Sequence, residues 1–251
     1  MRMPRLLAGF CALAPIALAS CNLPGKPQPG PEVPRPEEVT SFDKLYGANC
    51  AGCHGVNGQN GAATNLANPE YETLIDDASL RTVIAMGEKG TLMPGFAVES
   101  GGTLTDQQID ALVQGIRSHW RKGDPFRGQT PPYRATRPGD PTMGQAVYLG
   151  ECAECHGSSA RRPGKAGSIL DGSFLALINE QMIRTTIIAG RPDLGMPDWR
   201  GHSSGPMTDD EITNVTAWLM AQKPALPGQP YPNFSPTSEK PGAKQPSAVQ
   251  R

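Results

Sequence analysis

An internal repeat constrains the fold of this chain more than any other feature. The motif C-A-x-C-H-G occurs at residues 50–55 and again at residues 152–157, a displacement of 102 residues. Further repeated segments lie at a displacement of 103 residues: those that begin at Leu80 and Ile183, the Met-Pro pairs at Met93 and Met196, and those that begin at Leu104 and Met207. Because the segments recur at almost the same displacement, the sequence predicts a tandem duplication of one structural unit.

Each copy is expected to contain three helices, and no segment has the pattern of a strand. The first helix runs into the cysteine pair, at about residues 42–52 and 142–154. The second ends at Gly87 or Gly190, since glycine suits the left-handed cap that follows a helix. The third begins after Thr105 and its counterpart in the second copy, where acidic residues and then an apolar face follow a threonine N-cap. The sequence therefore predicts an all-α protein.

The spacing of the cysteine pairs indicates covalently attached haem. C-x-x-C-H is the attachment signature of c-type haem, in which two thiols add to the vinyl groups and the histidine becomes the proximal iron ligand. A thioredoxin-like site would need a βαβ context, and a zinc site built from both pairs would leave the repeated Met-Pro pairs unexplained. Two haem c groups are therefore predicted. The expected attachment residues are Cys50, Cys53, Cys152 and Cys155, and the expected proximal ligands are His54 and His156.

The sixth ligand of each iron is predicted from the equivalence of the copies. Only Met93 and Met196 among the methionines occupy equivalent positions, 39 residues after His54 and 40 after His156. Each precedes a proline, which disfavours helix at the methionine. His/Met coordination leaves neither iron an open position and implies a comparatively high reduction potential. His202, six residues after Met196, is the alternative ligand in the second copy.

The N-terminus is expected to be an export signal that ends in a lipid anchor. Residues 1–20 have a basic start and an apolar run that is too short to span a bilayer comfortably. The run ends in L-A-S-C, which resembles the bacterial lipobox, so Cys21 is expected to be lipidated. The alternative is a plain signal peptide that leaves Cys21 as a free thiol. The expected location is the periplasmic or outer face of a bacterial membrane.

The remaining boundaries are predicted from composition. Prolines crowd residues 21–41, which are expected to form an extended membrane tether, and residues 122–141, which are expected to link the copies. The copies are expected to span residues 42–121 and 142–222, and the Pro-, Ser- and Lys-rich segment 223–251 is expected to be disordered. A formal net charge of −1 gives no reason to expect a nucleic-acid partner.

These residues resemble the class I cytochrome c family, twice over. The resemblance covers residues 42–121 and 142–222 and implies two tandem cytochrome c domains, each a small helical bundle around a haem. In that family the first and last helices cross at a glycine and aromatic residues, a role that suits Tyr46, Gly144 and Tyr148. The family also uses a carbonyl to orient the proximal histidine, but both loops here lack the usual proline, so that carbonyl is left unassigned.

Electron transfer is the expected function, because the predicted irons are closed. The chain is expected to serve redox protein partners as a carrier, or to be a haem subunit of a respiratory or photosynthetic membrane complex, and not to be an enzyme. The alternative is a diheme enzyme, such as a cytochrome c peroxidase or a sulfur-compound oxidoreductase. Arg81 and Arg184 could bind haem propionates or could be ordinary exposed helix residues.

Overall fold

The computed structural model describes residue 30, residues 32–201 and residues 205–224. The predicted export signal, Cys21, His202 and the predicted tail beyond residue 224 lie outside these residues. The chain divides into two compact units, residues 1–35 and residues 36–251, and both copies of the repeat belong to the second. Of the first unit only residue 30 and residues 32–35 are described.

The described residues form ten α-helices and no β-strand, which confirms the all-α prediction. Helices of the first copy are α1 Phe42–Asn49, α2 Ala51–His54, α3 Pro69–Leu74, α4 Asp77–Met86 and α5 Asp106–Trp120. Helices of the second copy are α6 Pro141–Glu151, α7 Ala153–His156, α8 Gly172–Ala176, α9 Glu180–Ala189 and α10 Asp209–Ala221. Single 3₁₀ turns lie at Pro36–Glu38, Val98–Ser100 and Pro192–Leu194. None of the described helices is long and apolar enough to cross a membrane.

The helix ends follow from the residues predicted to cap them. Gly87 after α4 has φ 74° and Gly190 after α9 has φ 67°, a region that favours glycine because it has no Cβ. Thr105 and Thr208 cap α5 and α10, and each forms a capping box with the Gln or Glu three residues later. These helix ends confirm the glycine stops and the threonine starts that the sequence predicts. The predicted left-handed caps are wrong, because ψ is −177° at Gly87 and −178° at Gly190, outside the left-handed helical region.

The first and last helices of each copy cross at a glycine. In the second copy a Cβ on Gly144 of α6 would overlap the carbonyl oxygen of Asn214 on α10. In the first copy the glycine lies on the last helix instead, where a Cβ on Gly115 of α5 would overlap the ring of Phe42. The repeat aligns Phe42 with Gly144 and Gly115 with Trp218, so the large and small residues have exchanged helices between the copies. The predicted place of Gly144 at the crossing is confirmed.

A buried ion pair holds α3 against α5 in the first copy. Glu72 is fully buried, and Arg117 donates through Nη1 to its Oε2 at 2.9 Å and to its carbonyl oxygen at 2.8 Å. Burial raises the pKa of Glu72, against the opposing effect of Arg117. The repeat aligns these positions with Leu175, which is buried in the apolar core of the second copy, and with Met220, which is partly buried and packs against that core. The same place in the fold is therefore filled by charges in one copy and by apolar side chains in the other.

The two copies share their packing. Ala189 of α9 belongs to the core of the first copy, and Leu74 of α3 belongs to the core of the second. Residues 122–140 contain no helix, yet Phe126 is buried in the second core and Tyr133 packs against both. The segment predicted as a linker is thus part of the packed structure.

The end of the predicted tether is also held in place. The extended conformation expected for residues 21–41 gives way to a 3₁₀ turn at Pro36–Glu38. The side chain of Gln108 on α5 donates to the carbonyl oxygens of Pro36 at 2.8 Å and Val39 at 2.9 Å. Because these two bonds satisfy carbonyls on either side of the turn, the chain packs on α5 immediately before α1 begins.

Candidate haem sites

Each cysteine motif lies where the chain changes direction between two helices. The sequence predicted one helix into each pair, whereas the structure breaks that helix at the first cysteine, where Cys50 has φ −118° and Cys152 has φ −116°. The break creates a one-turn helix that ends at the histidine. The amide of His54 donates to the carbonyl oxygen of Cys50 at 3.0 Å, and that of His156 to Cys152 at 2.9 Å. Both copies therefore hold the cysteines and histidine in the same one-turn frame.

A backbone carbonyl orients each histidine. Nδ1 of His54 lies 2.8 Å from the carbonyl oxygen of Thr64, and Nδ1 of His156 lies 3.1 Å from that of Gly167. A neutral ring that donates from Nδ1 has Nε2 left to bind a metal. Burial lowers the pKa of His54, the bond to Thr64 opposes that shift, and the positive charge of Arg191 adds to it, so the net direction favours the neutral ring. The structure thus supplies the two carbonyls that the sequence left unassigned.

One tyrosine in each copy supports the turn after the histidine. The hydroxyl of Tyr46 donates to the carbonyl oxygen of Gly55 at 2.7 Å, and that of Tyr148 donates to Gly157 at 2.7 Å. Burial raises the pKa of both phenols to about 12, so each hydroxyl keeps its proton. The ring of Tyr148 also lies 4.6 Å from that of Trp218, as expected at the helix crossing. These tyrosines therefore connect the helix crossing to the histidine turn.

The two Met-Pro loops share one backbone hydrogen bond. The amide of Glu88 donates to the carbonyl oxygen of Met93 at 3.0 Å, and that of Arg191 donates to Met196 at 3.0 Å. Each loop lies against the glycine that ends the preceding helix, since a Cβ on Gly87 would come within 2.6 Å of the loop backbone. Both predicted ligand methionines are half-buried.

Three of the four predicted haem residues of the second copy face one cleft, and Cys155 is not among them. Cys152, His156 and Met196 line it together. Its other walls are almost entirely apolar and comprise Ile169, Phe174, Leu175, Ile178, Met182, Ile183, Thr186, Ile187 and Leu219. Haem is a large and mostly apolar group, so such walls suit its burial. In the first copy Cys50 packs against the core as Cys152 does in the second. The residues present fit a covalently attached haem.

A family model identifies the chain. The model described as "Cytochrome C oxidase, cbb3-type, subunit III" matches residues 37–114 and again residues 139–219, well over half of the chain. The chain belongs to this family. It is a cytochrome c, with haem c as its cofactor and a role in electron transport.

Individual relatives resemble this cytochrome only in part. The "Cbb3-type cytochrome c oxidase subunit FixPc" of Rhizobium leguminosarum bv. viciae is 27% identical over 179 residues, which cover 67% of this chain and 56% of that subunit. The chain therefore matches little more than half of that relative. The Kuenenia stuttgartiensis reducing HAO-like protein complex Kustc0457/Kustc0458 matches 76% of this chain and 100% of its own, with 20% identity and a TM-score of 0.44. Thiosulfate dehydrogenase TsdBA from Marichromatium purpuratum matches 68% of this chain and 40% of its own, with 20% identity and a TM-score of 0.28.

The two arginines predicted near the propionates have protein partners in this cytochrome. Arg81 pairs with Asp110 at 2.7 Å and with Asp106 at 2.5 Å. Arg184 is 1% exposed, pairs with Asp209, and donates to the carbonyl oxygen of Pro132 at 2.7 Å. Both guanidinium charges are neutralised within the protein, which argues against propionate contacts. Arg184 is not an exposed helix residue either, because it ties α9 to α10 and to the segment between the copies.

The ion pair between Arg191 and Asp193 of the second copy was not anticipated from the sequence. Nε of Arg191 lies 3.0 Å from Oδ1 of Asp193, beside the Met-Pro loop of the second copy. The hydrogen bond from Arg191 is the main cause that lowers the pKa of Asp193 to about 2. One signal was available, because Arg191 aligns with the oppositely charged Glu88 and breaks the repeat there.

Proposed function

We propose that this cytochrome carries two haem c groups, one in each copy, and passes single electrons between redox proteins at a membrane. The observation that carries the proposal is the repeated histidine geometry, a Nδ1 bond to a carbonyl of the following loop in both copies. Two sites built alike, each beside a Met-Pro loop, suit two closed six-coordinate irons and no substrate position.

The ligand roles are proposed residue by residue. The haem, when bound, supplies an iron that gains and loses one electron. Thioether bonds would form at the two cysteines of each motif: Cys50 and Cys53, and Cys152 and Cys155. His54 and His156, held by their carbonyl bonds, would each bind an iron, and Met93 and Met196 would supply the second protein ligand of each iron. In the second copy the apolar walls would shield a bound haem from water, which together with a thioether ligand would favour the reduced state.

The proposed partner is a membrane electron-transfer complex. The name of the Rhizobium relative places it in a cbb3-type oxidase, and we extend that association to this chain. Lipidation at Cys21, in the periplasm or on the outer face, would anchor the chain beside such a complex. The proposed boundaries put the signal at residues 1–20, the tether at 21–41 and the first domain at 42–121. The linker follows at 122–141, the second domain at 142–222 and the tail at 223–251.

Replacing Met93 by alanine is expected to lower the potential of one haem and leave the other nearly unchanged. Loss of the thioether withdraws a ligand that favours ferrous iron, and we expect a fall of more than about 59 mV, which is a tenfold change for one electron. Met196→Ala should lower the other potential by a similar amount. The measurement is a redox titration of the purified full chain, monitored through its visible spectrum.

Met86→Leu is the matched control, because Met86 is 65% exposed at the end of α4 in the first copy. This substitution should leave both potentials unchanged. If Met93→Ala lowered both potentials, that result would contradict the expectation that each methionine affects only one haem. A high-spin haem in the unmodified protein would contradict closed coordination and favour a diheme enzyme.

A further inference from the structure

A buried charge pair of the second copy lies against the histidine loop of the first. Arg191 and Asp193 leave only 13% and 4% of their side chains exposed. Two bonds join them, from Nε to Oδ1 at 3.0 Å and from Nη2 to Oδ2 at 2.9 Å. Such a bidentate pair is geometrically fixed, unlike a surface ion pair, because both side chains are largely shielded from water.

The pair reaches across to the loop that follows His54. Nη2 of Arg191 donates to the carbonyl oxygen of Gly61 at 2.9 Å, and Oδ2 of Asp193 accepts from the amide of Asn60 at 3.1 Å. Asn60 has φ 62°, a conformation that costs energy in a residue other than glycine. A Cβ on Gly61 would come within 2.6 Å of the amide nitrogen of Gly55, so this loop packs directly on the turn that ends at the histidine.

The backbone of Arg191 contacts the proposed ligand of the other haem. The amide of Arg191 donates to the carbonyl oxygen of Met196 at 3.0 Å, and the amide of Met196 donates to the carbonyl oxygen of Arg191 at 3.0 Å. One residue therefore joins the methionine loop of the second site to the histidine loop of the first.

The pair has no counterpart in the first copy. The repeat aligns Arg191 with Glu88 and Asp193 with Gly90. Glu88 accepts from Nδ2 of Asn179 at 2.7 Å, at another place between the copies. Arg191 and Asp193 thus contact the histidine loop of the first site, and the residues that the repeat aligns with them form no such charge pair.

We propose that Arg191 and Asp193 are positioning residues through which the second copy sets the reduction potential of the haem in the first. The inference rests on the proposed function, since it requires two haems. A negative charge near an iron stabilises its ferric state and a positive charge its ferrous state, and both effects are strong where water is excluded. In the intact pair the two effects oppose each other. Removing one charge leaves the other uncompensated beside the first site.

The test compares Arg191→Gln with Asp193→Asn in the full-length holoprotein. Arg191→Gln should lower the potential of the first haem and Asp193→Asn should raise it. We expect a threefold to tenfold change in the reduced-to-oxidised ratio in each direction, about 30 to 60 mV for a one-electron couple. The Met93→Ala variant identifies which titration step belongs to the first haem. Arg191→Lys, which keeps the charge, should shift that potential less than Arg191→Gln does.

Arg137→Gln is the matched control, because Arg137 forms an exposed ion pair with Asp210 of the second copy. This substitution should change neither potential. Shifts of the same sign in Arg191→Gln and Asp193→Asn would show that the pair only holds the copies together and would overturn the proposal. Should Arg191→Gln fail to fold, Asp193→Asn decides alone, and a lowered or unchanged first potential overturns the proposal. Fewer than two haems per chain would instead contradict the proposed function, and this inference with it.

Discussion

Replacing both cysteines of one motif by serine is expected to halve the covalent haem of this cytochrome, from two groups per chain to one. Each motif has its own one-turn helix, its own histidine carbonyl bond and its own Met-Pro loop, so neither site needs the thiols of the other. The first motif is tested with Cys50→Ser/Cys53→Ser. The readout is haem per chain from the alkaline pyridine spectrum, together with the mass of the intact chain.

The second motif gives the matched experiment. Cys152→Ser/Cys155→Ser should also leave one haem, and the variant that lacks all four thiols should leave none. The remaining haem should keep its low-spin spectrum, because its axial ligands are untouched. A cysteine variant that retains two covalent haems, or one that loses both, would contradict separate attachment in the two copies.

Replacing Arg117 by methionine is expected to reduce the free energy of unfolding by about 3–5 kcal/mol, because it leaves the buried carboxylate of Glu72 unpaired. The second copy suggests the remedy, since it has Leu175 and Met220 at these positions. The double variant Glu72→Leu/Arg117→Met should therefore recover most of the loss. Chemical unfolding of the holoprotein, followed by far-ultraviolet circular dichroism, measures both changes.

Arg81→Met is the control for the loss of an arginine on this face. Arg81 pairs with two aspartates at the surface, and exposed pairs contribute about 0–1 kcal/mol. If Arg117→Met were no more destabilising than Arg81→Met, the Glu72 pair would not hold α3 in place. If the double variant were as unstable as the single one, the two copies would not pack interchangeably there.

Local signals in the sequence predicted most of the helices. Gly87 and Gly190 stop helices because of their own backbone freedom, and Thr105 and Thr208 start them through their own side chains. The α3 and α8 helices were not predicted, because six and five residues are too few to show a helical period. The break at Cys50 was missed for a similar reason, since its backbone remains close to helical.

Contacts between distant residues could not be predicted in this way. The sequence left Arg184 open as a propionate contact or an exposed helix residue. Its burial depends on Asp209 and Pro132, which only the fold brings together. The carbonyls of Thr64 and Gly167, which orient the two histidines, were not predicted because neither loop carries the proline that usually marks them. The predicted thioether and axial ligands remain predictions, supported in the second copy by a shared cleft.

The central claim is that this chain holds two closed His/Met haems, and a redox titration of the purified full-length protein tests it most directly. Visible spectra recorded along the titration give the spin state of each iron, and the haem content per chain is measured on the same sample. We predict two haems per chain, two one-electron steps, and low-spin ferric haems that both show a methionine–iron charge-transfer band. A single haem per chain, or a high-spin haem at either site, would contradict it.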